Sequence, residues 1–323
     1  MAVASAMPET VERWVDAIRA GEVRAIARAI TAIENQTAQS EELLQRLFSA
    51  TGGAYVIGCT GAPGTGKSTL VDRLAAHYRR AEQPVGIIAV DPTSPFTGGA
   101  VLGDRIRMQG HSADAGVFIR SVATRGSLGG LTRSTADVAL VLDAAGKRLI
   151  LIETVGVGQD EVDIVRLADC TIVLMAPGMG DDIQSMKAGL MEIADIFVVN
   201  KSDREGADRL EQQLQAMLEL APDRSGWKPR VVRTVATEDR GVAELVESIA
   251  KFREHFESSP TRPAKKVEYW KQRLRDLLEQ QLLRRAIPGS EGARRLESCA
   301  KDVADRRTDP YTAVRNLLRD AGL

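Results

Sequence analysis

The stretch that most constrains this chain is Gly61-Ala62-Pro63-Gly64-Thr65-Gly66-Lys67-Ser68-Thr69, which satisfies G-x-x-x-x-G-K-[ST] at every fixed position. The pattern works only between a strand and a helix. Ala54 to Cys59 is a short apolar run suited to a buried strand, and Leu70, Val71, Leu74 and Ala75 then recur at helical spacing. In such a loop, successive backbone N–H groups wrap a chain of phosphates, and glycines allow the close approach. The positive end of the following helix adds to the anion site. Lys67 is placed to reach the β- and γ-phosphate oxygens, and Ser68 to put its hydroxyl on a magnesium ion.

Composition narrows the class further. The 43 Lys+Arg nearly cancel the 44 Asp+Glu, and aromatics make up 4% of the 323 residues, so neither a nucleic-acid partner nor an anionic membrane is indicated. No stretch approaches the roughly 18–20 apolar residues that span a bilayer. The early acids Glu9, Glu12 and Asp16 do not suit a secretory signal. Three widely separated cysteines, Cys59, Cys170 and Cys299, fit a reducing, cytoplasmic setting better than a disulfide framework.

The expected fold is α/β: a P-loop NTPase with a mostly parallel sheet flanked by helices, plus N-terminal and C-terminal helical extensions. Strand-like runs at Val85–Val90, Val117–Ile119, Leu149–Ile152, Thr171–Leu174, Ile196–Val199 and Val231–Val232 alternate with amphipathic stretches at Asp137–Ala145, Asp163–Ala168, Ala207–Leu220 and Val242–Phe256. Residues 1–50 read as helices, with apolar repeats at Val11, Trp14, Val15, Ile18, then Val23, Ile26, Ile30, Ile33, then Leu43, Leu44, Leu47, Phe48, and these stripes are expected to pack on the core. Residues 51–258 form the nucleotide-binding domain. Residues 259–323 turn to Arg-, Leu- and Glu-rich helices, where Trp270, Leu274, Leu277, Leu278 and Leu282 make a stripe that a second chain could cover; Pro288-Gly289 breaks it.

In this architecture ligands bind at the carboxyl ends of the strands, so the chemistry is sought there. Asp91 follows the second apolar run and leads into a loop with Gly98, Gly99, Gly103 and Asp104; it can hold magnesium through water or orient the attacking water, and it can equally serve as a turn cap before Pro92. Asp104, Arg105 and Arg107 are weaker candidates on the same loop. Glu153-Thr154-Val155-Gly156 ends another apolar run, which suits a magnesium partner at Glu153, an N–H at Gly156 that senses the γ-phosphate, and a switch loop through Gly158.

Base choice rests on Asn200-Lys201-Ser202-Asp203. Guanine offers N1–H and N2–H₂ side by side, which one carboxylate can accept, whereas adenine presents an acceptor at N1 and would leave Asp203 unpaired. Asn200 is expected to tie this loop to the phosphate loop, the Lys201 stem to cover the base, and Val235-Ala236-Thr237 to offer backbone N–H groups to guanine O6.

These residues, with Val90-Asp91-Pro92-Thr93-Ser94-Pro95, Leu102 to Met108, Ala123 to Gly130, Glu153 to Gln159 and Ala176 to Gln184, resemble the MeaB/ArgK family of P-loop GTPases, which includes the human protein of methylmalonic aciduria type A. The resemblance implies a GTPase chaperone that protects adenosylcobalamin-dependent methylmalonyl-CoA mutase, gates its cofactor loading, and forms a homodimer through its C-terminal helices. Carried over by position, the GTP/GDP contacts fall on Gly61 to Thr69, Asp203 and Val235 to Thr237, and the Mg2+ contacts on Ser68, Asp91, Asp104 and Glu153. Val235 departs from the Ser common in the family, which leaves a backbone contact by Ala236 intact. The stretch Pro177 to Lys187 resembles a further switch toward the mutase; its residues alone read as a capped connection through Asp181 and Asp182.

The expected chemistry is in-line attack of water on GTP, with Lys67, the loop amides and magnesium stabilising charge. Val157 stands where Ras-type proteins carry their water-positioning glutamine, leaving Gln159 and Asp91 as candidates and implying slow intrinsic turnover. A P-loop kinase and a metallochaperone GTPase are the alternatives; the second needs a His/Cys cluster, and His77, His111 and His255 are scattered.

Overall fold

The computed structural model describes residues 10–91, 109–111, 114–123, 130–154, 166–178, 193–220, 226–260 and 262–323. Among them, strands β1 (Tyr55–Gly61), β2 (Val85–Asp91), β3 (Val117–Ala123), β4 (Leu149–Glu153), β5 (Cys170–Met175), β6 (Ile196–Asn200) and β7 (Arg230–Thr234) form one sheet. Its order is β3-β2-β4-β1-β5-β6-β7, and every neighbouring pair is parallel.

Parallel strands covered on both faces need apolar side chains on both, and the buried runs Leu149–Glu153 and Ile196–Asn200 supply them. Alternate residues sort to opposite layers. Ile57, Cys59, Leu149, Leu151, Ile172, Leu174, Ile196 and Val198 pack with α4 (Lys67–Arg80) and α7 (Val242–Ser258). On the other face, Ile88, Val90, Ile150 and Ile152 pack with α5 (Gly130–Ala144), while Val173, Met175, Phe197 and Val199 meet α6 (Ala207–Leu220). Each fully buried Ile or Leu in these layers contributes about 1.5–3 kcal/mol relative to exposure.

The N-terminal helices α1 (Val11–Arg19), α2 (Val23–Glu34) and α3 (Ala38–Leu47) join that second layer: Ile18, Ile26, Ile30, Leu43 and Leu47 are fully buried in the same cluster as Ile150 and Ile152. The Trp14 Nε1–H donates to Ala25 O at 3.0 Å and locks α1 to α2. Two members of the sequence stripes lie outside it. Val23 opens α2 before the covered part of the helix, and Phe48 begins a 3-10 turn whose tighter winding rotates it off the helical face; both are exposed.

The chain divides into two compact units, Met1–Ser259 and Pro260–Leu323. The second unit contains α8 (Arg262–Ala286), α9 (Gly289–Ala304) and α10 (Pro310–Asp320). The break between α8 and α9 falls at Pro288-Gly289, as the sequence suggests, with Gly289 at φ 56°. Asp309 caps α10 by accepting the Thr312 N–H at 3.0 Å, and Pro310 fills its first turn. Leu274, Leu278 and Leu282 on α8 are exposed. No helix among the described residues is long and apolar enough to cross a membrane.

Candidate functional site

The carboxyl ends of the sheet converge on the β1–α4 loop. β1 is central, flanked by β4 and β5, so Gly61 leaves the sheet between Glu153 of β4 and Leu174 of β5. Gly61 stands at φ 142°, and a Cβ there would meet Leu174 O at 2.2 Å, so only glycine lets the loop turn against β5. Gly66 is the left-handed N-cap of α4, and a Cβ on it would meet Asn200 Nδ2 at 2.3 Å. Thr65 closes the turn through its N–H and Oγ1, both donating to Ala62 O at 3.3 and 2.8 Å.

The first turn of α4 carries Lys67 and Ser68 inward. Lys67 is buried, and its ammonium donates to Gly61 O at 2.8 Å and Ala62 O at 3.1 Å, which folds the cation back over the loop. Ser68 Oγ donates to Glu153 Oε1 at 2.6 Å, both residues buried. A hydroxyl and a carboxylate held against each other are the hard oxygen donors that magnesium takes, so these residues fit that ion. Burial first, and then the charge of Glu153, push the neighbouring Cys59 thiol up, so the floor of the site stays neutral there.

The base side is built from β6 and β7. Asn200 is buried; its Nδ2 donates to Thr65 O at 2.8 Å, and its Oδ1 accepts from Thr234 Oγ1 at 3.0 Å and from the Ala236 N–H at 3.1 Å. The expected tie between the two loops is therefore present. Lys201 takes a left-handed φ of 55° and donates from Nζ to Gly64 O at 2.7 Å, extending along the phosphate loop. Asp203 is exposed at the same end of the sheet.

The loop after β7 differs from its sequence reading in one respect. The Ala236 N–H is occupied by Asn200, and the Val235 N–H donates to Arg240 O at 2.9 Å, so two of the three amides expected to face guanine O6 are spent within the protein. Exposed Thr237 follows them in the 3-10 turn Ala236–Glu238. A contact from Ala236 to the base requires exchange of its bond to Asn200.

Several expected site residues lie outside the described residues: Asp104 with Arg105 and Arg107, the switch residues Gly156, Val157, Gly158 and Gln159, and Asp181 to Lys187. Asp91 ends β2 beside β4, at the same edge of the sheet as Glu153; its side chain is not among those described. Three buried threonines escaped the sequence reading. Thr234 supports Asn200, and Thr154 Oγ1 donates to Thr60 Oγ1 at 3.0 Å. Their signal was position alone, each lying at or just beyond a strand's carboxyl end next to a motif residue.

The sequence profile described as methylmalonyl-CoA mutase-associated GTPase MeaB matches residues 26–291. The chain is 46% identical over 313 residues to a putative GTPase of Pyrococcus abyssi, with 96% of each covered. It is 33% identical to the GTPase ArgK of Escherichia coli, covering 95% of this chain and 96% of that protein. The mouse mitochondrial methylmalonic aciduria type A homolog is 32% identical, over 84% of this chain and 71% of its own length. Among solved structures, one described as LAO/AO transport system kinase superposes with a TM-score of 0.72 at 27% identity, covering 99% of this chain and 100% of that one. With its phosphate loop, its Asn-Lys-Ser-Asp loop and a family match running through most of its length, the chain belongs to the MeaB family of P-loop GTPases.

Proposed function

We propose that this protein is a GTP-hydrolysing chaperone of adenosylcobalamin-dependent methylmalonyl-CoA mutase, protecting that enzyme and gating its cofactor loading. The observation that carries the nucleotide part is the Asn200 bridge, which holds the Asn-Lys-Ser-Asp loop against the phosphate loop at Thr65. The partner part is supported by the family's description and by the mouse relative's name.

In this reading the N–H groups at the start of α4 and the Lys67 ammonium bind the β- and γ-phosphates, Lys67 exchanging its carbonyl partners for phosphate oxygens. Asp203 accepts guanine N1–H and N2–H₂, and the Lys201 stem lies over the base. Ser68 and Glu153 would hold magnesium, with Asp91 and Asp104 as further ligands, and the ion supplies charge neutralisation on the phosphates. Water attacks the γ-phosphate in line, with Gln159 or Asp91 orienting it. Without a glutamine at Val157, turnover is slow until a partner organises the site.

A homodimer covering the exposed Leu274, Leu278 and Leu282 of α8, and a cytoplasmic location, complete the proposal. The test is phosphate release from GTP and from ATP, with and without saturating holo-mutase. Slow GTP turnover that rises with mutase, and negligible ATP turnover, are expected. A rate indifferent to the mutase removes the partner, and transfer of phosphate to an acceptor other than water would establish the kinase reading that the LAO/AO neighbour's description suggests.

A further inference from the structure

Glu153, the last residue of β4, and Thr154 just beyond it turn their side chains to opposite faces of the sheet. Glu153 continues the alternation of Leu149 and Leu151 and points to the α4 layer, where Ser68 meets it. Thr154, the next residue, meets Thr60 of β1 instead. Its Oγ1 donates to Thr60 Oγ1 at 3.0 Å, and its N–H donates to Cys59 O at 3.1 Å, continuing the β1–β4 ladder one residue past the last paired strand position, Cys59 with Glu153. Thr60 and Thr154 are 0% and 1% exposed, so this hydroxyl pair is shielded from water. Thr60 immediately precedes Gly61, the first residue of the phosphate loop.

Resting on the GTPase reading above, we propose that Thr154 and Thr60 form a buried hydroxyl latch that positions Glu153 for Ser68 and the nucleotide's magnesium. Neither threonine touches substrate in this role; both are positioning residues. A carboxylate at the last residue of a strand has no following ladder to hold its backbone. The Thr154 N–H supplies one further rung, and the Thr154 hydroxyl fixes the opposite face, so the Cα of Glu153 is pinned from both sides. The hydroxyl is the part a hydrophobic residue of the same shape cannot replace, because only a directional O–H···O link sets the rotation of the strand end about its axis.

The test compares Thr154→Val, Thr154→Ser and the double variant Thr60→Val/Thr154→Val with the wild type. Removing the Thr154 hydroxyl leaves that of Thr60 buried without this partner, whereas removing both in favour of similar shapes is nearly neutral for stability. The latch therefore predicts a separation of readouts. Thr154→Val lowers thermal stability and the double variant regains most of it, yet in both the magnesium concentration for half-maximal phosphate release rises about tenfold, the equivalent of one hydrogen bond's worth of positioning. Fluorescent GDP binding in EDTA stays within about twofold of wild type in all three, because the loop amides and Asn200 are untouched, and the gain in GDP affinity on adding magnesium shrinks in the two valine variants. Thr154→Ser keeps the wild-type magnesium dependence. Recovery of magnesium dependence together with stability in the double variant would show the pair to be structural only and overturn the latch, as would a Thr154→Val enzyme indistinguishable from wild type. Wild-type protein that shows neither GTP turnover nor magnesium-dependent GDP binding would instead remove the reading on which the latch rests.

Discussion

The Asn200 amide nitrogen lies 2.8 Å from Thr65 O, which joins the end of β6 to the phosphate loop across 135 residues of sequence. The same side chain accepts from Ala236 and Thr234, so one buried amide holds together the phosphate loop and the carboxyl ends of β6 and β7. Asn200→Ala leaves the Thr65 carbonyl and the Ala236 N–H without that partner in a buried site. A loss of about 3 kcal/mol in nucleotide-free stability is expected, at about 1 kcal/mol per hydrogen bond, with weaker GDP binding. Urea denaturation and a GDP titration measure both, and an unchanged midpoint would show that the bridge is not formed.

Asp203 is exposed, two residues after the left-handed turn at Lys201, so in the proposed function it recognises the base and contributes little to folding. Asp203→Asn replaces an acceptor with a donor opposite guanine N2–H₂. GTP affinity should fall about 100-fold while xanthosine triphosphate, which carries an oxygen at that position, gains, a difference of about 3 kcal/mol. Thermal stability without nucleotide should be unaltered. Competition between the two nucleotides reads the switch directly.

Two glycines with positive φ should respond very differently to alanine. At Gly61 the new Cβ would fall 2.2 Å from the Leu174 backbone oxygen, inside the sheet, so Gly61→Ala should lose more than about 3 kcal/mol and GTP binding with it. At Gly146, φ 80° with nothing within 4 Å, alanine bears only the left-handed penalty of about 1–2 kcal/mol. Melting curves of the two variants separate steric exclusion from conformational strain, and equal losses would contradict the tight β1–β5 crossing.

Asp114 accepts from Arg79 Nε at 2.8 Å and Nη2 at 3.0 Å, and from the Gly116 N–H at 2.7 Å, tying the last turn of α4 to the turn before β3. The Arg79 hydrogen bonds first, and the Gly116 N–H second, hold its carboxyl below the ordinary value of 3.8. A depressed carboxylate contributes stability that is present above its unfolded pKa and is lost as pH falls through the folded one. The stability difference between wild type and Asp114→Asn should thus be constant above about pH 5 and shrink below about pH 4. A difference that grows on acidification would reverse the sign and exclude the ion pair.

Much of the site was legible because its chemistry is local. Gly61 to Thr69 are contiguous, from the end of β1 to the first turn of α4, and a motif written in one stretch needs no distant partner to be recognised. The seven apolar runs were legible as strands for a similar reason, since a sheet covered on both faces demands continuous hydrophobicity. The hydroxyl pair of Thr60 and Thr154 was invisible, as threonine is an ordinary strand residue and nothing in its neighbours marks which hydroxyl it will meet. The engagement of the Ala236 N–H by Asn200 was missed for the same cause: a backbone donor carries no sequence signal of its own.

What the sequence determined by itself is therefore the G-x-x-x-x-G-K-S motif, the Asn-Lys-Ser-Asp motif and a layered α/β fold, each written in contiguous residues or in a regular period. The tertiary structure decided which strand stands next to which. The order β3-β2-β4-β1-β5-β6-β7 brings Glu153 to Ser68 and Asn200 to Thr65, pairs separated by 85 and 135 positions, because adjacency in a parallel sheet is set by helical crossovers and shared burial and not by nearness along the chain.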